Sequence, residues 1–517
     1  MITEDQSAVV AFLSDPSTHD GAPVERIETH ASIVFLAGDR ALKLKRAVRY
    51  DYLDFSTTER RRLMCEAEVR VNRRTAPQLY RGVIAVTREA DGTLALGGTG
   101  TPVEWLVEMG RFDQEALFDR QAAQRQLDLA LMRPLGVAIA RFHAAAERRR
   151  DQGGAAGLAW VVDGNDAGLA EEGRDIFDAT ERRRVMAATR ESLERHHDLL
   201  ESRRLDGFVR ECHGDLHLRN IVVIDGQPTL FDAIEFNDAI ACIDVLYDLA
   251  FLLMDLEHRE LTAHANAVLN GYLGVGHDLD GLALLPLFLS CRAAVRAKTG
   301  ATAARLASDP AQRADQQDAA RGYLAMAGRL IAPPRACLVA VGGLSGTGKS
   351  TIARALAPVL GPVPGAVIFR SDEIRKELFG VDPLERLGPE AYTADVTERV
   401  YAEALARAQR VVRAGHAAVV DAVFGRPEQR VSIERAAREA GVPFAGIWLD
   451  APAAVLEARI GARRGDASDA DVAVVRQQLA RDPGPVTWAR VDASGQPADV
   501  VREARNRLAS TLGNAVR

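Results

Sequence analysis

The chain has 517 residues, 47% hydrophobic and 26% charged, too many for one ordinary core, so two or three globular domains are expected. The net charge of -7 is uneven: residues 335–517 hold 25 basic and 22 acidic residues, leaving 40 and 50 for residues 1–334, and neither part is basic enough to announce a nucleic-acid partner. Five scattered cysteines without a CxxC exclude a disulfide framework, the acidic start MITEDQSAVVAFLSD is unlike a signal peptide, and no run approaches the roughly 18 apolar residues of a membrane span, so a cytoplasmic protein is expected.

Only five of the 65 basic residues are lysine: Lys43, Lys45, Lys298, Lys349 and Lys376. Arginine serves wherever a plain positive charge suffices. A retained lysine is therefore a candidate for work that a flat guanidinium does poorly, such as reaching a phosphate as a compact point charge.

Residues 31–45 read as a hairpin with its turn at Ala37-Gly38-Asp39-Arg40. Alternation in its second strand puts Leu42 and Leu44 on one face and Ala41, Lys43 and Lys45 on the other. Lys43 is the candidate for pairing with nucleotide phosphates, with Lys45, on the same face, as its rival. Residues 57–74 carry a helical charge pattern behind a Ser/Thr cap signal. An acid on this helix would position the lysine: Glu68, or alternatively Glu66. Residues 79–109 read as strands, and 110–330 as mainly helical, interrupted by a strand-turn-strand at 221–232 around Asp225-Gly226.

Just ahead of that ribbon stands His213-Gly-Asp215-Leu-His217-Leu-Arg-Asn220. A carboxylate and an amide five residues apart have the arrangement of a kinase catalytic loop. Asp215 would take the proton of an attacking hydroxyl and Asn220 would hold magnesium. The ribbon then returns the chain to Asp232, a second carboxylate suited to the metal, with Glu235 close by to join or orient that shell.

Pro333-Pro334 ends the last of these helices, and the apolar strand beginning at Ala336 opens a new domain, which sets a boundary near 334. Strands at 336–341, 366–369, 417–420 and 444–449 then alternate with helices, as in an open parallel sheet. The first strand runs into Gly343-Leu-Ser345-Gly346-Thr347-Gly348-Lys349-Ser350-Thr351, a P-loop followed by a helix. Its N–H groups would wrap phosphates, Lys349 would reach the terminal ones, and the Ser350 hydroxyl would sit on magnesium. Asp372, at the carboxyl end of the second strand, is the candidate proton acceptor, with Arg375 one turn on to hold the acceptor; the same residues also suit a plain helix start. Asp421, closing the third strand, is a candidate for the metal, for binding the acceptor, or for a plain loop cap. Arg459 and Arg463 precede a polar Gly-Asp-Ala-Ser-Asp-Ala stretch suited to a lid over the transferring phosphoryl group.

Residues from about 25 to 330 resemble the aminoglycoside-phosphotransferase and protein-kinase-like fold, on the strength of the His-Gly-Asp-Leu-His loop. That resemblance implies a bilobal α+β domain, with an amino-terminal lobe of about 1–109 and a carboxy-terminal lobe of about 110–332. It also implies a hinge at Glu108, Met109 and Gly110 that offers backbone hydrogen bonds to the base. The hairpin lacks a GxGxxG, so GTP stands beside ATP as the nucleotide expected there. Residues 336–517 resemble P-loop kinases that phosphorylate hydroxyl groups, including polynucleotide 5′-hydroxyl kinases, gluconate-kinase-like enzymes and zeta-toxin-like sugar-nucleotide kinases. The shared marks are the P-loop, Asp372-x-x-Arg375 and the Arg459/Arg463 lid.

As a whole the chain is similar to bacterial fusions described as bifunctional aminoglycoside phosphotransferase/ATP-binding proteins. The implied fold is a two-domain one, with residues 1–334 kinase-like and 335–517 an α/β P-loop NTPase with a parallel sheet. The implied function is phosphoryl transfer from Mg-ATP to hydroxyls of small molecules at two sites, with neither nucleic acid nor membrane favoured as partner. The alternatives are a 5′-hydroxyl polynucleotide kinase in the second half, a nucleotide-sensing regulator, or drug modification.

Overall fold

The computed structural model describes residues 2–50, 52–462 and 465–517. The chain forms two compact units, Met1–Gly164 with Leu193–Asp255, and Asn165–Ser192 with Leu256–Arg517. Among the described residues no helix is long and apolar enough to cross a membrane.

The first unit is built on a six-stranded antiparallel sheet in the order Val24–Glu28, Ser32–Ala37, Arg40–Lys45, Thr101–Gly110, Tyr80–Arg88, Leu94–Leu96. Its hairpin sets Ser32 opposite Lys45 and Ala37 opposite Arg40, with Gly38 in the turn at a left-handed φ of 56° that favours glycine. Alternation sends Ile33, Phe35, Leu42 and Leu44 to one face, where they form a core with Leu13, Val86 and Leu106. The other face carries Lys43 and Lys45 toward the helix Thr58–Asn72. That helix starts where Thr57 Oγ1 accepts the Arg60 N–H, and it buries a stripe of Arg61, Cys65, Glu68, Val69 and Asn72. The edge strand Val24–Glu28 lies outside the expected hairpin; four of its five residues are exposed, so no apolar alternation marks it.

Farther along, Ile221–Ile224 and Gln227–Leu230 pair as a two-stranded ribbon. Asp225 and Gly226 both take positive φ in its tight turn, the backbone that an Asp-Gly pair favours. The ribbon delivers the chain to Asp232, itself at φ 60°.

The second unit contains a five-stranded parallel sheet in the order Val367–Arg370, Ala418–Asp421, Leu338–Gly343, Phe444–Asp450, Ala489–Asp492. Val339, Val341, Val419 and Ile447 pack against Ile352 and Leu356 of the helix Lys349–Leu356 and Ala504 and Leu508 of the helix Pro497–Leu512. Register brings Val341 and Arg370 to either side of Asp421, so the carboxyl ends of three adjacent strands meet where the P-loop begins. The fifth strand is a short edge that the apolar pattern did not mark. The unit also takes in the helices Leu285–Leu306 and Pro310–Leu330. Lys298, on the first of these, lays its stem over Gly168, where a Cβ would meet Lys298 Cδ at 2.3 Å.

Candidate active sites

In the first unit the segment His213–Asn220 is fixed from below by a buried acid, Asp248. Its Oδ2 accepts the His213 N–H at 3.1 Å and its Oδ1 accepts the Gly214 N–H at 2.8 Å, while His143 Nε2 lies 3.0 Å from Oδ2. Asp255 likewise accepts the Leu218 N–H at 3.0 Å. Between these anchors Asp215 faces solvent. Asn220 Nδ2 donates to Asp215 O at 2.9 Å and to Asp215 Oδ2 at 3.1 Å, and His217 Nε2 lies 3.2 Å from that same Oδ2. The chain leaves through the ribbon and returns by Phe231, whose N–H donates to Asn220 O at 3.0 Å. At the next residue the Asp232 N–H donates to the buried Tyr80 hydroxyl at 3.1 Å.

Lys43 Nζ donates to Glu68 Oε1 at 2.8 Å and to Asp232 Oδ1 at 2.5 Å. Burial opposes its charge, but Asp232 and Glu68 more than offset this and hold the ammonium well above its ordinary range. Glu68 is the acid at the lysines; Glu66 is exposed and pairs with Arg62 at 2.5 Å. Lys45 is also engaged, donating to Glu68 Oε2 at 2.6 Å and Glu235 Oε1 at 2.5 Å. Glu235 therefore faces a lysine.

The expected hinge differs in detail. Glu108 and Met109 lie within the strand Thr101–Gly110, flanked on one side by Leu42 and Ala41 and on the other by Gly82 and Tyr80. The Gly110 N–H is donated to Leu79 O at 2.8 Å, and the Glu108 carboxylate accepts from Arg40 Nε at 3.1 Å. The sheet thus already uses backbone that the resemblance assigned to a base.

In the second unit the P-loop bends at Gly343, Gly346 and Gly348, all at positive φ. A Cβ on Gly343 would stand 2.5 Å from Leu449 O, and one on Gly346 2.9 Å from Leu456 O, so close backbone approach also requires glycine at both. Lys349 Nζ and Thr347 Oγ1 both donate to Leu344 O, at 3.0 and 2.8 Å. Ser350 Oγ donates to Asp421 Oδ2 at 2.5 Å. Burial raises the Asp421 carboxyl above its ordinary range, against the pull of Lys349 and Arg370. Thr351 is exposed on the following helix.

Asp372 stands in the first turn of the helix Ser371–Leu378. Arg375 is buried; its Nη1 donates to Ala391 O at 2.6 Å, and its guanidinium lies 4.8 Å from the Tyr392 ring centroid. Arg459 donates to Ala493 O at 2.8 Å, and Arg463 lies outside the described residues. The contacts of three residues, Arg370, Lys376 and Gln478, are not foreshadowed by the sequence. Arg370 pairs with Glu373 at 3.0 Å, Asp466 at 3.1 Å and Asp421 at 3.4 Å. Lys376 is buried on Asp469 at 2.6 Å, an acid that also accepts from Tyr392 and the Leu387 N–H. Gln478, on the helix Val472–Leu479, accepts the Ser345 N–H at 2.9 Å and donates to Ser345 Oγ at 3.1 Å.

Residues 55–285 match the model of the phosphotransferase enzyme family, and residues 338–485 that of the AAA domain. The protein Rv2004c of Mycobacterium tuberculosis (strain ATCC 25618 / H37Rv) is 32% identical over 476 residues, 90% of this chain and 92% of that one. Among solved structures, a choline/ethanolamine kinase family protein from Mesorhizobium loti is 15% identical with a TM-score of 0.41, over 62% of this chain and 93% of its own. A gluconokinase from Sinorhizobium meliloti 1021 is 25% identical with a TM-score of 0.26, over 35% of this chain and 95% of its own. The chain is a phosphotransferase enzyme and belongs, with the mycobacterial protein, to a family that joins a kinase-like domain of the aminoglycoside-phosphotransferase type to a P-loop kinase-like domain with a parallel sheet.

Proposed function

We propose that the chain is a two-headed phosphotransferase, whose functional domains, residues 1–334 and 335–517, each move the terminal phosphoryl group of ATP to a hydroxyl of a small, sugar-like or metabolite acceptor. One observation carries this reading. Lys43, seated on Glu68, reaches the carboxylate of Asp232, while the loop before that acid holds Asp215 open and bonded to Asn220. A seated lysine, a base and a hard-oxygen pair are what phosphoryl transfer asks of a kinase-like site.

Magnesium fits both places by donor chemistry. Asn220 commits its Nδ2 to Asp215, which leaves its carbonyl oxygen to act with Asp232; Ser350 and Asp421 supply hydroxyl and carboxylate oxygens in the second unit. When bound, the ion would neutralise charge on the phosphates. In the first domain Asp215 then accepts the proton of the attacking hydroxyl, oriented by Asn220 and His217, and Lys43 holds the phosphates. In the second, the N–H groups of Gly346 to Ser350 and the Lys349 ammonium hold the phosphates while Asp372 accepts the acceptor's proton. Five buried, unpaired thiols suit a reducing compartment such as the cytoplasm.

The test is to incubate the chain with small-molecule cell extract and γ-labelled ATP and identify each labelled product. Asp215→Ala is expected to abolish one product and Asp372→Ala another. Products unchanged by both substitutions would reject both assignments.

A further inference from the structure

Lys43 and Lys45 stand two residues apart on one strand face, and the Glu68 carboxylate lies between them, one oxygen on each ammonium. Each lysine also donates to the loop beyond the ribbon, Lys43 to Asp232 and Lys45 to Glu235, both at 2.5 Å. Asp232, Lys43, Glu68, Lys45 and Glu235 thus alternate in sign without a break. Because the two end acids are three residues apart on one loop, the run closes into a ring.

The ring is wet on one side and dry on the other. Side-chain exposure is 13% for Lys43 and 43% for Asp232, but 1% for Lys45, 5% for Glu235 and 0% for Glu68. Lys45 Nζ lies 5.0 Å from the centroid of the Phe55 ring, and Phe236, the residue after Glu235, meets that ring edge-on at 6.2 Å. Phosphoryl transfer requires the wet pair to separate, since Lys43 must turn to the phosphates and Asp232 to the metal. With Lys43 as the sole lysine, that exchange would make the buried Glu68 share its one ammonium with the phosphates, and would release the loop bearing Asp232 from the strand.

We propose that Lys45 and Glu235 are positioning residues: their dry pair keeps Glu68 charged and the Asp232 loop docked while Lys43 and Asp232 exchange each other for the magnesium nucleotide. This rests on the first unit being a nucleotide site, as argued above.

The experiment uses the full chain carrying Lys349→Ala, which silences the P-loop. Equilibrium binding of a non-hydrolysable ATP analogue is titrated with Mg2+, and thermal unfolding is recorded beside it. Lys45→Met and Glu235→Gln are each expected to raise the Mg2+ concentration for half-saturation by about 10–100-fold, the usual effect of removing an outer-shell partner, with little change in metal-free nucleotide affinity. The apolar double variant Lys45→Met/Glu235→Leu separates positioning from packing. A positioning pair predicts that it stays as poor in Mg2+ dependence as the single variants even where its melting temperature recovers. Parental Mg2+ dependence in Glu235→Gln, which preserves shape and so decides the matter if the others fail to fold, would overturn the inference, as would recovery in the double variant. The reading beneath it fails differently: the parent would then not bind the analogue, or Lys43→Ala would bind it as well as the parent.

Discussion

Substituting Glu68 with alanine tests the geometry of the first site without any substrate. The carboxylate is fully buried and accepts from two ammonium groups at 2.8 and 2.6 Å. Its removal leaves each lysine with one remaining acid, so neither becomes an orphan, but the centre of the ring is lost. Losing two charge-assisted hydrogen bonds to a buried carboxylate, at about 1.5–2.5 kcal/mol each, costs about 3–5 kcal/mol. At about 2–4 °C per kcal/mol for a unit of this size, the melting temperature should fall by roughly 6–20 °C. Glu66→Ala is the control: that acid is exposed on Arg62, and its loss should change stability by about 0.5 kcal/mol or less. Scanning calorimetry across pH adds a sign. Burial opposes ionisation of Glu68, but Lys43 and Lys45 more than offset it and hold the carboxyl well below the usual range. A depressed carboxyl lends stability that is complete above its unfolded pKa and lost as pH falls through the folded one. The gap between the parent and Glu68→Ala should therefore close as pH drops below the ordinary carboxylate range. Equal melting temperatures for Glu66→Ala and Glu68→Ala at neutral pH would refute this placement.

Asp215→Asn should slow transfer at the first site by about 10²–10⁴-fold while leaving ATP-analogue affinity near the parent's, as expected for loss of a base that does not hold the nucleotide; single-turnover rates and equilibrium binding separate the two. Asp421→Asn should stabilise the nucleotide-free protein at neutral pH while weakening magnesium-nucleotide binding. Its folded pKa is raised by burial, so its ionisation opposes folding above that pKa, and an amide removes the penalty; a lower melting temperature would contradict this. Arg375→Lys should lose about 1–2 kcal/mol through its bond to Ala391 O and its stacking on Tyr392, with little effect on the acceptor KM. A raised KM at unchanged stability would instead make Arg375 the acceptor's clamp.

Much of both sites is legible in order along the chain because local spacing carries it: a base and an amide five residues apart, a ribbon that returns an acid, and a glycine pattern between strand and helix. The choice between Glu66 and Glu68 was also legible, through helical period. Cys65, Val69 and Asn72 define the buried stripe; Glu68 falls on it and Glu66 does not. Asp248 could have been found as an acid inside the apolar helix Val245–His258, since a carboxylate there needs donors. Arg370, Lys376 and Gln478 could not, because their partners Asp466, Asp469 and Ser345 lie 96, 93 and 133 residues away and obey no local period. The two edge strands were hidden for a related reason: with few buried positions, neither shows alternation. Scarcity of lysine proved an uneven guide, since Lys298 packs on a helix and Lys376 holds an acid outside the P-loop.

Both units sort their charges by access to water, and that division says what each group can do. Asp421 and Arg370 are almost as dry as Lys45 and Glu68, whereas Asp466 and Glu373, on the outer side of Arg370, are each about a quarter exposed. In the dry part of the first unit, attraction between charges is strong and any lost partner is expensive, so Lys45, Glu68 and Glu235 hold geometry and do not exchange. At the wetter edge, where Asp232 is 43% exposed, water replaces part of a departing partner, so Lys43 and Asp232 can part when a ligand offers a counter-charge in exchange. The Gln478 amide belongs with the wet groups in kind: it is neutral, and it accepts from a P-loop N–H of the type that phosphates use. Ligand entry should therefore follow the exchangeable contacts, at Lys43 and Asp232 in one unit and at Ser345 and Gln478 in the other, while the buried pairs keep the frame to which they return.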